Sequence, residues 1–218
     1  MSSLPVELPP HLAADLREAF DPEAKIARAL EALGPVAGRD VAVVDAAGSP
    51  VIEAIRERGA RVTHVPASQP LRLPFDEAAV DAVVGLWSAF RGPAPDALAE
   101  VDRVLRPEGR LLVVHDYGRD DVSRLFEPDR PEYGAWSQRN GPFLRGGFRV
   151  RVVHTFWVFD TLEAAAAFLA AAFGERGEAV ASTLRRPRLT YNVAVYHRNR
   201  AGGAAPAVDG SMPTPASS

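Results

Sequence analysis

Two periods of hydrophobic spacing alternate along the chain. After a Pro-rich lead, Leu12, Leu16, Phe20, Ile26, Leu30 and Leu33 recur at helical intervals, so His11–Leu33 is expected to be helical. Asp21-Pro22 divides that stretch, with Asp21 placed to cap a second helix and Pro22 at its first position. Gly34-Pro35 ends it. Short apolar runs follow at Val41–Asp45, Arg61–Val65, Val80–Trp87 and Arg110–His115, several of them continuous, as strands covered on both faces require. Pro50–Arg58 and Ala94–Leu105 lie between them with the period of amphipathic helices. Further on, Phe148–Phe159 and Leu189–His197 read as strands. They flank an Ala-rich helix, Leu162–Phe173, which Gly174 is expected to end.

Strands and helices that alternate through short connections predict a parallel sheet with helices on both faces. The last two strands, around a single helix, suit a hairpin-like edge. Between Asp116 and Gly147 the pattern weakens, with Pro and Gly scattered among Tyr133, Trp136 and Phe143. The expected organisation is a helical lead over 1–35, an α/β domain over 36–199 and a disordered tail over 200–218, where apolar periodicity is lost.

Composition narrows the chemistry. The chain has no cysteine, which excludes a disulfide scaffold, a Cys-ligated zinc and a thiol nucleophile together. A net charge of −3 sets up no general attraction for nucleic acid or an anionic membrane. The local cluster Arg185, Arg186 and Arg188 reads as a solvated turn before a strand. Met1–Pro10 lacks the basic and apolar regions of a secretory signal, and Ala164–Phe173 is too short to span a bilayer. A soluble, cytoplasmic protein is expected, with no nucleic acid or membrane partner and with room for a homodimer.

Three segments, in order, resemble the class I S-adenosylmethionine-dependent methyltransferases. Val43-Val44-Asp45-Ala46-Ala47-Gly48-Ser49-Pro50 stands where that family has an apolar strand ending in D-x-G-x-G. Leu73-Pro74-Phe75, followed by Val80-Asp81-Ala82-Val83-Val84, is similar to its L-P-F segment and fourth strand. Glu100-Val101-Asp102-Arg103-Val104-Leu105-Arg106-Pro107-Glu108-Gly109 resembles its E-x-x-R-V-L-K-P-G-G helix and turn. The resemblance covers roughly Arg39 to His115. It implies a Rossmann-like three-layer sandwich with a mostly parallel central sheet of about seven strands, S-adenosylmethionine as cofactor and a small-molecule methyl acceptor. It also implies cofactor binding by Asp45, Ala47, Gly48, Ser49, Gln69 and Gly85 at the carboxyl ends of the strands. No universal catalytic residue comes with the family, so none is carried over.

The cofactor motif departs from the family at defined places. Ala47 and Ser49 replace glycines, and Pro66 stands where an acid usually meets the ribose hydroxyls. Gln69 replaces the acid beside the adenine, although its amide oxygen still accepts a hydrogen bond. Loss of a charged ribose acceptor costs about 1.5–3 kcal/mol. The alternative is therefore a catalytically inactive methyltransferase-like domain that binds or scaffolds a partner through the aromatic stretch Tyr133–Phe159.

Within the expected crevice, His115 and Asp116 are the general-base candidates. The bland alternative is a histidine bonded at a strand end and an aspartate capping the next turn. Trp87, Tyr117, Tyr133 and Trp136 are candidates for an acceptor pocket or, equally, for local core. His154 reads as a satisfied strand histidine. His11, His64 and His197 lack metal-ligand grouping, so no metal is expected. The chain has neither a P-loop nor G-x-G-x-x-G, which argues against triphosphate hydrolysis and dinucleotide redox chemistry.

Overall fold

The computed structural model describes residues 4–44, 48–87, 89–126 and 130–201. Its elements are α1 (Pro10–Ala19), α2 (Lys25–Leu33), β1 (Asp40–Val44), α3 (Pro50–Glu57), β2 (Arg61–Val65), β3 (Val80–Leu86), α4 (Pro95–Val104), β4 (Leu105–Asp116), α5 (Pro142–Arg145), β5 (Arg149–Val158), α6 (Leu162–Ala181) and β6 (Arg188–Asn199). The sheet runs β2-β1-β3-β4-β6-β5. The pairs from β2 to β4 are parallel, whereas β6 is antiparallel to both β4 and β5. The expected hairpin-like edge is there, with β5 outermost.

Side chains alternate across the sheet because successive residues of a strand face opposite ways. Val41 and Val43 pack with Leu16, Ile26, Leu30, Ile52 and Leu169, so α1, α2, α3 and α6 cover one face. Ala42 and Val44 pack with Val101, Val104, Phe143 and Tyr196, which puts α4 and α5 on the other. The result is the expected three-layer α/β sandwich. Among the described residues it has six strands rather than about seven. Between β2 and β3 the chain carries Pro66, Pro70 and Pro74, which have no N–H to give to a sheet ladder.

Asp21 caps the second helix, but from outside it. Its carboxylate accepts the N–H groups of Lys25 (3.0 Å) and Ile26 (2.9 Å) and the Thr155 hydroxyl (2.5 Å). The helix therefore starts at Lys25, not at Pro22, and Asp21 ties it to β5. Further along the chain, Gly174 (φ 55°, ψ −137°) breaks α6 into two helical pieces.

The second and third sequence motifs hold each other. Glu100 and Arg103 stand one turn apart on α4 and form an ion pair (2.8 Å). Glu100 accepts the Leu73 N–H (2.8 Å), while Arg103 donates to the carbonyls of Leu73 (3.0 Å) and Phe75 (2.8 Å). The Arg103 guanidinium holds the Glu100 carboxyl down at about 2. The pair thus satisfies the backbone of a segment that has no strand partner, and it fixes the loop that follows β2. Glu100→Ala strands the Leu73 N–H and takes the carboxylate partner from Arg103, which keeps its two carbonyls. It is expected to cost about 2–3 kcal/mol, read from urea unfolding.

Candidate functional site

The carboxyl ends of β1 and β2 and the segment after β3 open onto a cavity of about 1040 Å³. Val44 ends β1 at its wall. Residues 67–71 follow from β2, residues 89–97 lead from β3 into α4, and Pro142, Arg145 and Gly146 close it from α5. The lining is mostly apolar, with Ser68, Gln69, Arg91, Asp96 and Arg145 as its polar side chains. A few polar groups in an apolar concavity are what a small-ligand site requires. Ser68 is already engaged, donating to the Pro70 carbonyl (2.9 Å) and accepting the Arg72 N–H (3.0 Å). Arg91 pairs with the buried Glu132 and lies over the Trp136 ring at 5.4 Å. Asp96 and Arg145 make no side-chain hydrogen bond or ion pair among the described residues, so both are available to a ligand.

The residues expected to bind a cofactor fall into three groups. Gln69 lines the cavity. Gly48 and Ser49 lie on the approach to α3 instead. Gly48 has φ +73° with open space where a Cβ would stand, and its carbonyl accepts a bond from Arg17. Ser49 is fully buried, and its Oγ has no hydrogen-bond partner among the described residues. Gly85 is covered by the protein itself: a Cβ there would stand 2.5 Å from Cδ2 of Phe90, whose ring lies across that backbone. Asp45 and Ala47 lie outside the described residues.

His115 and Asp116 are adjacent on β4 and so face opposite sides of the sheet. His115 is buried, with Nε2 3.1 Å from the Phe90 carbonyl and its ring 4.7 Å from that of Trp136. Burial pushes its pKa down to about 4. Its neutral ring ties the end of β4 to the loop after β3, which is the bland reading. Asp116 accepts a hydrogen bond from the Tyr191 hydroxyl, which in turn accepts from Trp87 Nε1 (3.0 Å). Burial raises its carboxyl to about 6. Neither side chain lines the cavity.

The aromatic residues are mainly core. Trp87, Trp136, Phe143, Phe148 and Trp157 are all buried, so these five rings belong to the core. Sequence reasoning had not singled out Phe90, Arg91, Asp96 or Arg145, because they belong to connections and no motif marks them. Among the described residues, His, Asp and Glu form no group able to hold a metal ion, and no helix is long and apolar enough to cross a membrane.

Residues 23–113, from the approach to α2 through most of β4, match the family model described as a methyltransferase domain. Over that segment the chain is similar to the methyltransferase family. The match takes in the turn after β1, the Gln69 loop, and the Glu100–Arg103 clamp. No curated protein sequence matches the chain. Among solved structures, a candidate type II methyltransferase of Anaeromyxobacter dehalogenans is similar at 18% identity, over 81% of this chain and 95% of that one (TM-score 0.49). The geranyl diphosphate C-methyltransferase of Streptomyces coelicolor, solved with S-adenosyl-L-homocysteine, is 18% identical over 82% and 80% of the two chains (TM-score 0.45). The YcgJ protein of Bacillus subtilis is 14% identical over 80% and 97% (TM-score 0.45).

Proposed function

We propose that the protein is an S-adenosylmethionine-dependent methyltransferase acting on a small-molecule acceptor. The observation that carries this reading is the cavity. It opens where the parallel strands of the methyltransferase-like segment end, and that is where open α/β sheets take their ligands.

The residues present fit such a cofactor. The open space at Gly48 and the unpartnered, buried Ser49 hydroxyl suit close approach of a polar ligand to the turn before α3. Val44, Leu71, Ala89 and Phe90 give apolar walls for an adenine, with the Gln69 amide beside them as a neutral hydrogen-bonding group. Asp45, next after Val44 in the sequence, is assigned to the cofactor's ammonium group, and Ala47 to the same part of the site. The bound cofactor supplies a methyl group on a sulfonium, ready for transfer. The protein's part is to align donor and acceptor and to keep water out. Arg91, Asp96 and Arg145 are the charged side chains of the lining and are assigned to the acceptor. His115, neutral and tied to a carbonyl, takes no part.

Calorimetry with S-adenosylhomocysteine tests this directly. Saturable binding is expected, weakened about five- to tenfold in Gln69→Ala, as loss of one neutral hydrogen bond implies. Absence of heat at millimolar ligand, together with an unshifted melting temperature, would sink the reading. The inactive-domain alternative draws support from the Phe90 ring across Gly85 and from the lack of a carboxylate after β2. Transfer of label from S-adenosylmethionine to any acceptor in a cell extract would exclude it.

A further inference from the structure

The sheet ends at β5, and part of that edge is uncovered. The Phe156 carbonyl accepts the Asp21 N–H (3.0 Å), and Phe20 bridges Trp157, so α1 and its following turn cover the last third of the strand. That bond also reveals the phase of the backbone. Residues in register with Phe156 (Val150, Val152 and His154) turn their N–H and C=O groups away from β6. No backbone group elsewhere among the described residues bonds to them.

Beside this open stretch lies a groove of about 330 Å³ whose lining includes Lys25, Arg28, Arg151 and His154. Lys25 and Arg28 share Glu23 at 3.3 and 3.9 Å. Arg151 and the neighbouring Arg149 are exposed and make no side-chain hydrogen bond or ion pair among the described residues. Excess positive charge is therefore gathered at one sheet edge of a chain whose net charge is −3.

We propose that this edge binds an acidic, extended peptide segment of a partner protein, which adds a strand to β5. The open row of outward N–H and C=O groups repeats at strand spacing, which a second peptide backbone satisfies and a nucleic acid does not. Half-buried Val150 and Val152 supply an apolar shelf for alternate side chains of the incoming strand. Acidic side chains on the other face of that strand meet Arg149, Arg151 and Lys25. A second copy of this chain is disfavoured because it brings its own arginines to the same seam, and like charges on paired strands repel. The proposal stands apart from the cofactor cavity and does not depend on it.

The test uses the full chain and a blocked, labelled hexapeptide of alternating Glu and Val, with fluorescence anisotropy as the readout. Saturable binding that weakens as salt rises is expected, with no binding of the matching Lys-Val peptide. The double variant Arg149→Glu, Arg151→Glu should lose at least about tenfold in affinity, a scale set by removal of two charge pairs. Val152→Pro removes one outward N–H while leaving the charges and the β6 ladder in place. It should lose a similar factor, with its melting temperature measured alongside. Equal binding of the Lys-Val peptide, full affinity in folded Val152→Pro, or preference for an oligothymidylate over the Glu-Val peptide would each overturn the proposal.

Discussion

Gly177→Ala is expected to lower stability by about 3 kcal/mol or more, the upper end of what overpacking a core costs. The reason is the course of α6. Gly174 breaks the helix, and the piece that follows turns back on the first so closely that Gly177 faces the backbone of Leu169. A Cβ on Gly177 would stand 2.5 Å from the Leu169 carbonyl carbon and closer still to its oxygen. A flexible side chain could swing aside, but the carbonyl of a formed helical turn cannot. Relief requires the two pieces to separate, and that exposes Leu169 and Val180, both buried in the same core. Urea unfolding of the variant measures the effect directly. An unchanged midpoint would mean that the pieces are held apart in solution and that the tight crossing is not a feature of the native protein.

The break itself was legible in the sequence, since a glycine after an Ala-rich run is a common way to end a helix. The return of the chain was not, because it depends on where the second piece finds apolar surface. The same division runs through the fold. Each of the six strands among the described residues announced itself as an apolar or alternating run, and α3 and α4 as amphipathic periods, whereas α5 lay in a stretch without pattern. What failed was the strand count, taken from family resemblance rather than from the residues: Pro66, Pro70 and Pro74 were already there to argue against a further strand. At the site, Gln69 could be placed on the cavity wall from motif position alone. Phe90, Arg91, Asp96 and Arg145 could not, since each reaches the wall only through the way loops fold over the sheet. Gly85 shows the limit from the other side. A glycine at a strand end suggests room for a ligand, and here the room is taken by Phe90.

The adjacent His115 and Asp116 are expected to give opposite pH dependences that nearly cancel in the native protein. They face opposite sides of β4, His115 among Trp136 and Phe143, Asp116 against Tyr191. Burial holds the His115 pKa at about 4 against an ordinary 6.5. Between those values the unfolded chain binds the extra proton, so stability falls as pH drops through the window. Burial raises Asp116 to about 6 against an ordinary 3.8. There the folded chain binds the extra proton, so stability rises as pH drops over nearly the same range. Each shift of two units or more amounts to about 3 kcal/mol. Asp116→Asn removes the second effect and leaves the first. Relative to wild type, the variant should lose about 3 kcal/mol of stability as pH falls from about 6 to about 4, the window of the two shifts. His115→Phe keeps an aromatic ring between Trp136 and Phe143 and should show the reverse, gaining relative to wild type over that window. Urea unfolding of the three proteins across the range reads both differences, and the acid loss common to all other carboxylates drops out of the comparison. Parallel pH profiles for Asp116→Asn and wild type would mean that water reaches the Asp116 carboxyl. The hydrogen-bonded series Trp87–Tyr191–Asp116 would then be an opening at the strand ends rather than a sealed part of the core.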